Sequence, residues 1–461
     1  MLIECGQVSI HIDYIRIQMS LKNNSLLHIL GAGPAGLTSA YYAKKSKIPL
    51  MLYESSNSVG GNCKTIVDGH YRYDTGAHRF HDKLDYATKE VRDLIGDDLL
   101  KVNSPSMIFS KNSMFDFPLG LSSVLRNLGG VDIIKILTEN IFKISKHSDK
   151  PTNFKDLAYQ IYGKTLSELF LTNYTEKLWG RPADTLDVNI SGNRLNNLNM
   201  ATLFRELLFK TDNADHLDGS FYYPKYGFGT IFERMKDHIG ESSIRFNSPV
   251  TKIVHDGRKI VELVCGNSRI TNIDKVISTL PVSVLINSME PSPPESIKNI
   301  VNHIKYRDLN LCVIYLDIPS FTENASIYFP ESIFPFTRIY EPKNRSNKMA
   351  PRDKTCIVVE TPYDHETLPG PISKKEIFEM ISNILIKNKF IKREQIIGHK
   401  IMDAKYAYPI LEIGIEDRLE PIFSYLDNFE NMYTIGRSAQ FRYIHTHDIF
   451  MQARSVINKL L

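Results

Sequence analysis

The residues with the clearest chemistry are three glycines in the spacing G-x-G-x-x-G. Glycines in this spacing permit a tight turn, let backbone approach a pyrophosphate, and allow a helix to pack closely on a strand. Glu54 lies 23 residues after the first of them, where a carboxylate can accept hydrogen bonds from a ribose. The spacing predicts a dinucleotide site; the alternative is a glycine-rich turn in another doubly wound protein. The candidate nucleotide-binding residues here are Gly31, Gly33, Pro34, Ala35, Gly36 and Glu54.

The continuation Val59–Thr65 adds a second glycine pair, Gly60 and Gly61, followed by Asn62. This segment resembles the second glycine pair of the two-dinucleotide-fold flavoprotein superfamily, which includes the amine oxidases. In that superfamily, small residues at these positions let backbone approach the flavin side of the cofactor. A later strand of the same domain lies near the adenine, which here corresponds to Val250. The resemblance implies FAD as the cofactor.

Two further segments contain polar residues that would lie beside the flavin ring. His78 follows a glycine that lets a loop pass close over a flat ring; the alternative is a buried hairpin histidine. Near the C-terminus, Gly436 and Arg437 form a turn before a helix predicted from about His447. The positive end of that helix would stabilise an anionic reduced flavin by about 0.3–1 kcal/mol. The alternative is an ordinary helix capped by Asp448.

Another group combines aromatic rings with arginine. Tyr174 and Trp179 lie at the end of a predicted helix, and Arg194 follows Trp179 by 15 residues. Aromatic faces can stack on a flat base and guanidinium groups bind phosphates, often with two parallel hydrogen bonds, so this group favours a nucleotide platform. The alternative for Trp179, the only tryptophan of the sequence, is packing in a helical core.

The elements that would position these residues predict an α/β fold: a Rossmann-like FAD-binding domain with a helical insertion and an antiparallel β-sheet domain. Apolar runs predict strands at Leu26–Leu30 and Pro49–Tyr53 around a helix at Ala35–Lys45, and Val102–Leu119 predicts a hairpin turning at Lys111-Asn112. Residues 121 to about 209 are mostly helical by periodicity. The predicted FAD-binding domain combines residues 25–84, 219–284 and 430–461. Residues 120–215 are predicted to form a helical substrate-cap domain, and residues 100–119 and 285–429 the antiparallel sheet domain. Residues 1–24 are predicted to be an N-terminal extension.

Length, charge and cysteine content set further bounds. The chain of 461 residues is long enough for two or three domains. Its net charge of +4 is small and spread along the chain, which favours neither a nucleic acid nor a membrane surface as partner, and no apolar run reaches the ~18 residues of a membrane span. Five scattered cysteines without C-x-x-C spacing predict neither disulfides nor a metal site, so we expect a cytoplasmic location.

Six motifs occur in one order along residues 26–461. They are the glycine pair, G-x-H-x-F-H at Gly76–His81, Y-T-E-K-x-W-G at Tyr174–Gly180, F-T-R-I at Phe336–Ile339, Y-x-Y-P at Tyr406–Pro409 and G-R…R-Y at Gly436–Tyr443. Together they resemble the UDP-galactopyranose mutase family of flavoproteins. The segments Phe221–Gly229 and Glu341–Ala350 also resemble mutase-like flavoproteins described as protoporphyrinogen-oxidase-like.

The mutase resemblance implies roles for the matching positions. Two arginines that hold the substrate diphosphate match Arg194 and Arg338, and two tyrosines near the diphosphate match Tyr408 and Tyr443. The base-stacking aromatic, the tryptophan beside the substrate, the flavin-side histidine and the Gly-Arg turn match Tyr174, Trp179, His78 and Arg437. In place of an aspartate that bacterial members carry after the second tyrosine, this chain has His445.

The implied activity is interconversion of pyranose and furanose forms of a nucleotide sugar, through an adduct between reduced-flavin N5 and the anomeric carbon. Its partners would be the nucleotide sugar, an external flavin reductant such as NAD(P)H, and a second copy of the chain in a homo-oligomer. An FAD-dependent oxidase or dehydrogenase, acting on a sugar or another small molecule, is the alternative enzyme. A flavoprotein fold that serves as a binding scaffold is the non-enzymatic alternative.

Overall fold

The computed structural model describes residues 25–143, 150–190, 220–364 and 373–461. Its nucleotide-binding layer is a five-stranded sheet in which every neighbouring pair is parallel. In spatial order the strands are Met432–Thr434, Lys275–Ser278, Leu27–Leu30, Leu50–Tyr53 and Ile244–Arg245. Because the strands are parallel, their carboxyl ends meet at one edge, where such sheets bind nucleotides.

Helix Pro34–Lys45 follows the central strand and is the main covering element of this sheet. It packs against helices Thr230–Ile239 and Thr446–Leu460, and its buried side chains belong to the same apolar core as theirs. The strand–helix–strand arrangement predicted at residues 26–53 is confirmed. The final helix begins at Thr446 with His445 at the N-cap position, and the Asp448 side chain accepts the His445 N–H in a capping box, so Asp448 does cap this helix, from its third position.

A seven-stranded sheet forms the second layer. In spatial order its strands are Ile396–Pro409, Tyr306–Leu316, Thr355–Tyr363, Arg338–Tyr340, Ser326–Tyr328, Ser106–Ser110 and Ser113–Phe117. All neighbours are antiparallel except Ser326–Tyr328 and Ser106–Ser110, which run parallel. The hairpin predicted to turn at Lys111-Asn112 is confirmed, and both turn residues have positive φ.

A helical region follows strand Ser113–Phe117 of the second layer in the sequence. Its elements are Leu121–Asn127, Gly130–Lys143, Phe154–Tyr162, Lys164–Leu166, the π-helical segment Ser167–Thr172, and Asn173–Trp179. The predicted helical character is thus confirmed up to Trp179, whereas residues 191–209 lie outside the described ranges. The domain boundaries remain a prediction.

The remaining strands form one four-stranded sheet and two two-stranded sheets besides the two layers. The strands are Thr65–Asp68, Tyr71–Asp74, Leu99–Val102, Phe221–Pro224, Val250–His255, Ile260–Cys265, Ser268–Thr271 and Met289–Glu290, and the helices are Asp85–Ile95, Val282–Asn287, Glu295–His303, Lys374–Lys387 and Ile415–Leu426. Within the described ranges, no helix is both long and apolar enough to cross a membrane. The same ranges contain no cluster of three or more His, Cys, Asp or Glu side chains able to hold a metal ion.

Candidate active site

Three glycine turns meet at the carboxyl edge of the parallel sheet and form what we call the glycine cradle: Gly31–Gly36, Gly60-Gly61 and Gly436. Gly31 has φ +96°, and a Cβ on Gly36 would lie 1.8 Å from the Gly31 carbonyl oxygen. A Cβ on Gly61 would lie 3.0 Å from Gly33 Cα, and one on Gly436 would lie 2.8 Å from Ala35 Cβ. Only glycine permits this approach, so main chain lines the start of the helix, as a pyrophosphate requires.

Glu54 is directed back to the first of these turns. One carboxylate oxygen accepts the Ala32 N–H at 2.8 Å, and the other accepts the N–H and hydroxyl of Ser56, each at 2.8 Å. The carboxylate therefore lies at the carboxyl end of its strand, beside the glycine cradle. Its contact with a ribose stays a prediction.

Other predicted cofactor residues lie around the same edge. Pro34 is the first helical residue and lacks the N–H that would otherwise be unpaired there. The Asn62 side-chain amide donates to the Lys405 carbonyl at 2.7 Å, and Val250 begins a strand that pairs with Ile260–Cys265. Asp448 accepts the His445 N–H at 2.8 Å and lies 3.5 Å from His447 Nε2. Cofactor contacts for these residues remain predictions.

Trp179, Tyr408 and Tyr443 form an aromatic trio. The Trp179 ring lies 5.7 Å from each tyrosine ring, and the two tyrosine rings are 6.0 Å apart. Trp179 is 3 % exposed, so it packs in a core and also contacts the predicted substrate tyrosines. Burial raises the pKa of Tyr408 to about 12, which keeps this phenol neutral at physiological pH.

Tyr408 reaches the trio because its strand is irregular. The pairing register between strands Tyr306–Leu316 and Ile396–Pro409 shifts just before Tyr408, where Tyr406 has φ +54°. Such a bulge turns the following side chains to a new direction. The motif Y-x-Y-P is therefore the sequence signature of the bulge that aims Tyr408 at the site.

Arg437 connects the trio to the C-terminal turn. Its guanidinium lies 5.0 Å from the Tyr443 ring centre and 5.7 Å from that of Tyr408. The same group donates to the Ile444 carbonyl at 2.7 Å and to the Ala407 carbonyl at 3.3 Å. Its charge is thus held against two electron-rich ring faces, as cation–π geometry favours.

Arg338 is held by a buried carboxylate that the sequence did not single out. Arg338 and Glu360 are direct partners on adjacent strands, and Glu360 Oε2 accepts Arg338 Nε at 2.8 Å and Nη2 at 2.6 Å. Burial alone would lower the pKa of Arg338, but Glu360 and nearby tyrosines hold it well above its usual range. The Nε–Nη2 edge is therefore already engaged by Glu360, which leaves the Nη1 side of Arg338 for the predicted diphosphate.

Glu360 also reaches the predicted flavin side. Its second oxygen accepts the Ala77 N–H at 2.9 Å, directly before His78. The Arg338 guanidinium also lies 5.8 Å from the Tyr328 ring centre. The Tyr328 ring meets the Tyr174 ring edge-on, with 5.7 Å between the ring centres. Arg338 and Tyr174 thus share one aromatic neighbour.

His78 stacks on Phe228 at 5.1 Å, and its buried Nδ1 has no hydrogen-bond partner among the described residues. Loss of hydration, together with the smaller effects of the positive charges of Arg338, Arg437 and Arg345, lowers its pKa to about 3. The ring is therefore neutral at physiological pH. A buried nitrogen without a partner fits a site that a bound group completes.

Lys177 is a positioning residue that the sequence reasoning missed. Its ammonium donates to the main-chain carbonyls of Phe329, Glu331 and Phe334, the latter two at 2.9 Å. This loop leads directly into the strand of Arg338, so Lys177 ties the helix of Tyr174 and Trp179 to the arginine. The available signal was the lysine of Y-T-E-K-x-W-G, placed between the two aromatic residues.

The helix of Tyr174 and Trp179 has a second anchor. Arg307 donates to the Leu178 carbonyl at 3.2 Å and forms an ion pair with Asp364 at 2.6 Å. Gly180 has φ +67°, and a Cβ there would lie 2.6 Å from the Arg307 guanidinium carbon. Of the predicted site residues, Arg194 lies outside the described ranges.

Comparison with known proteins gives a consistent picture. A family model described as flavin containing amine oxidoreductase matches residues 34–387. The crystal structure of reduced UDP-galactopyranose mutase matches with a TM-score of 0.84 at 20% identity, covering 94% of this chain and 95% of that chain. A putative protoporphyrinogen oxidase from Exiguobacterium sp. 255-15 matches with a TM-score of 0.73 at 15% identity, covering 94% and 98%. The likeness confirms the predicted Rossmann-like FAD-binding fold and the mutase-like resemblance at the level of fold.

A curated relative matches a smaller share of this chain. Coproporphyrinogen III oxidase of Staphylococcus aureus is 23% identical over 305 residues, which is 58% of this chain. The chain spans 62% of the length of that relative. The family match indicates a flavin cofactor, and the glycine cradle, together with the unpaired Nδ1 of His78, fits such a group.

Proposed function

Because the chain belongs to the family of flavin-containing amine oxidoreductases, we propose that it is an FAD-dependent nucleotide-sugar mutase. It would interconvert pyranose and furanose forms of a UDP-sugar, as the resemblance to UDP-galactopyranose mutase implies. When bound in its reduced form, the flavin supplies a nucleophile for the anomeric carbon of the sugar. An external reductant such as NAD(P)H would keep it reduced, and the protein would act in the cytoplasm, with a homo-oligomer as its assembly.

The observation that carries this proposal is the placement of Arg338 between aromatic rings and the flavin-side loop. Its guanidinium lies beside Tyr328, which contacts Tyr174, while Glu360 links it to Ala77 next to His78. A nucleotide base against Tyr174 and a phosphate on Nη1 of Arg338 would direct the attached sugar towards His78. Arginine suits this task because it remains charged when partly buried.

The other residues would orient the sugar and exclude water. The aromatic trio forms an apolar wall with neutral hydroxyls, which can bind sugar hydroxyls without adding charge. Because His78 is neutral, Arg338 would supply the positive charge that binds the phosphates. Arg437 adds a positive charge beside the aromatic trio. Holding the departed UDP near the sugar favours its return, which is catalysis by positioning.

Dithionite-reduced protein incubated with UDP-galactopyranose and related nucleotide sugars tests the proposal. We expect a furanose product, separated by chromatography, that is absent when the flavin is oxidised. Arg338→Ala should lose this activity, whereas the exposed control Arg269→Ala should keep it. Absence of ring-contracted product from every nucleotide sugar would remove the mutase proposal.

The family match favours a second candidate, a flavin oxidase or dehydrogenase. The aromatic trio could also receive an apolar substrate, for which the charge of Arg338 has no use. This candidate requires stoichiometric consumption of oxygen or another electron acceptor and no prior reduction. Consumption of oxygen or of an added electron acceptor during turnover, without prior reduction of the flavin, therefore separates the two functions.

A further inference from the structure

Arg345 is a buried cation that forms no ion pair with a described carboxylate, although the charge of Asp74 acts on it from nearby. It is 2 % exposed, and its Nε and Nη1 atoms have no hydrogen-bond partner in the described ranges. Its remaining contacts are a 3.4 Å hydrogen bond from Nη2 to Ser326 Oγ and the face of the Tyr340 ring, 4.5 Å from the guanidinium carbon. A buried charge is normally paired or bound to a ligand, so this arrangement calls for an anion.

A second arginine approaches the same place. Arg79 Nη2 donates to Ser106 Oγ at 2.7 Å. Ser106 and Ser326 are register partners on adjacent parallel strands, so their side chains point to the same face about 5 Å apart. The two guanidinium groups therefore converge on one pair of serines, and the charge of Arg79 contributes to a lowered pKa of Arg345, after burial.

The described carboxylates near Arg345 are engaged elsewhere. Asp74 accepts hydrogen bonds from Thr65, Tyr223 and the Phe228 N–H. Glu360 binds Arg338, and Glu341 accepts from Thr355 and two main-chain N–H groups. No described carboxylate forms an ion pair with Arg345.

We propose that Arg345 and Arg79 form a second anion site, distinct from Arg338, that holds a small monoanion. The anion is a free halide or carboxylate, or the carboxylate group of a substrate. The site stands on these contacts alone and does not depend on the mutase proposal.

A surface pocket adjoins the site. Arg345 contributes to the lining of a pocket of about 360 Å³ that also includes Lys225 and Asn344. The charge of Lys225, although paired with Asp98, adds to a positive field that attracts anions.

Thermal unfolding of the flavin-loaded protein tests the site, with chloride or bromide replacing gluconate at constant ionic strength. Gluconate is too large for a buried site, so we expect a saturable rise in Tm of at least ~2 °C with halide. Arg345→Met should abolish the rise, whereas Arg269→Met, at an exposed arginine, should keep it. An equal rise in wild type and Arg345→Met, or no rise at all, would overturn a halide site.

Binding of UDP-glucuronate and UDP-galactose separates the two sources of the anion. If a substrate carboxylate occupies the site, chloride weakens UDP-glucuronate binding severalfold, leaves UDP-galactose unaffected, and Arg345→Met removes the difference. If a free halide occupies it, neither affinity depends on chloride while Tm does. The inference fails if neither Tm nor any affinity responds to chloride.

A direct measurement covers the case in which Arg345→Met does not fold. Crystals of the wild-type protein grown in bromide should show an anomalous peak within hydrogen-bond distance of Arg345, and Arg345→Lys, which keeps the charge, should retain the saturable Tm response. Bromide peaks confined to the protein surface would contradict the site. None of these readouts requires mutase activity, so the failure of either proposal can be recognised separately.

Discussion

The glycine cradle and the proposed substrate side around Arg338 are built in opposite ways. The cradle consists of main chain from three turns, each of which follows a strand of one parallel sheet or packs on its first helix. The substrate side consists of side chains from distant segments, held in place by Glu360, Lys177 and Arg307. Damage to the first should therefore abolish cofactor binding, whereas damage to the second should leave a flavin-loaded protein with weak ligand binding.

Gly36→Ala should have the largest effect. Its Cβ would lie 1.8 Å from a main-chain oxygen that cannot move without opening the turn. We expect destabilisation by more than about 3 kcal/mol and loss of flavin, because this exceeds ordinary overpacking. Flavin absorbance per protein and urea unfolding measure it. Gly129→Ala, whose Cβ meets nothing within 4 Å, is the matched control, and normal flavin content in Gly36→Ala would contradict the cradle.

Arg338→Ala should show the opposite pattern. Removing a charged hydrogen-bond donor should cost about 1.5–3 kcal/mol of UDP binding while flavin content stays near the wild-type level. Titration of UDP against reduced and oxidised protein, followed by Trp179 fluorescence, measures it. Unchanged affinity would exclude a diphosphate contact at Arg338. Loss of flavin in this variant would mean that the two regions are not separable.

Lys177→Met should weaken the substrate side indirectly. The change leaves three main-chain carbonyls without their donor, which should lower the free energy of unfolding by about 1–3 kcal/mol. Because the loosened loop leads into the strand of Arg338, the UDP affinity should fall as well, while the flavin content is retained. Lys164→Met, at an exposed lysine of the same helical region, is the control. Stability lost without any change in UDP affinity would limit Lys177 to a structural role.

His78 should produce the smallest effect at pH 7, because its contribution is a dependence of stability on pH that appears only on acidification. Its folded-state pKa of about 3 lies below the unfolded value of 6.5, so its contribution is present above pH 6.5 and is lost as the pH falls towards 3. One proton limits the slope to about 1.4 kcal/mol per pH unit. His78→Gln should flatten the curve of unfolding free energy between pH 6.5 and 4, and His303→Gln, at an exposed histidine, should not. Identical curves for wild type and His78→Gln would show that His78 is hydrated.

The same contrast explains what the sequence could predict. The first turn of the cradle was predictable because Gly31–Gly36 and Glu54 belong to one strand–helix–strand unit, where local spacing determines geometry, whereas Gly60-Gly61 and Gly436 were assigned from the family resemblance. The pair of Arg338 and Glu360 depends on the register of two strands, and a single sequence does not specify that register. Opposite charges in the apolar segments Phe336–Ile339 and Thr355–Glu360 were the available signal. The contacts of Lys177 and the bulge before Tyr408 likewise depend on tertiary packing.

Glu360 connects the substrate side around Arg338 to the loop of His78. Its two oxygens serve different elements, one the guanidinium of Arg338 and the other the Ala77 N–H. A phosphate arriving at Arg338 would share the positive charge that now neutralises this carboxylate. The carboxylate would then attract the Ala77 N–H more strongly and tighten the loop of His78. Ligand binding and the setting of the flavin environment would thus be coupled through a single acid, without movement of any domain.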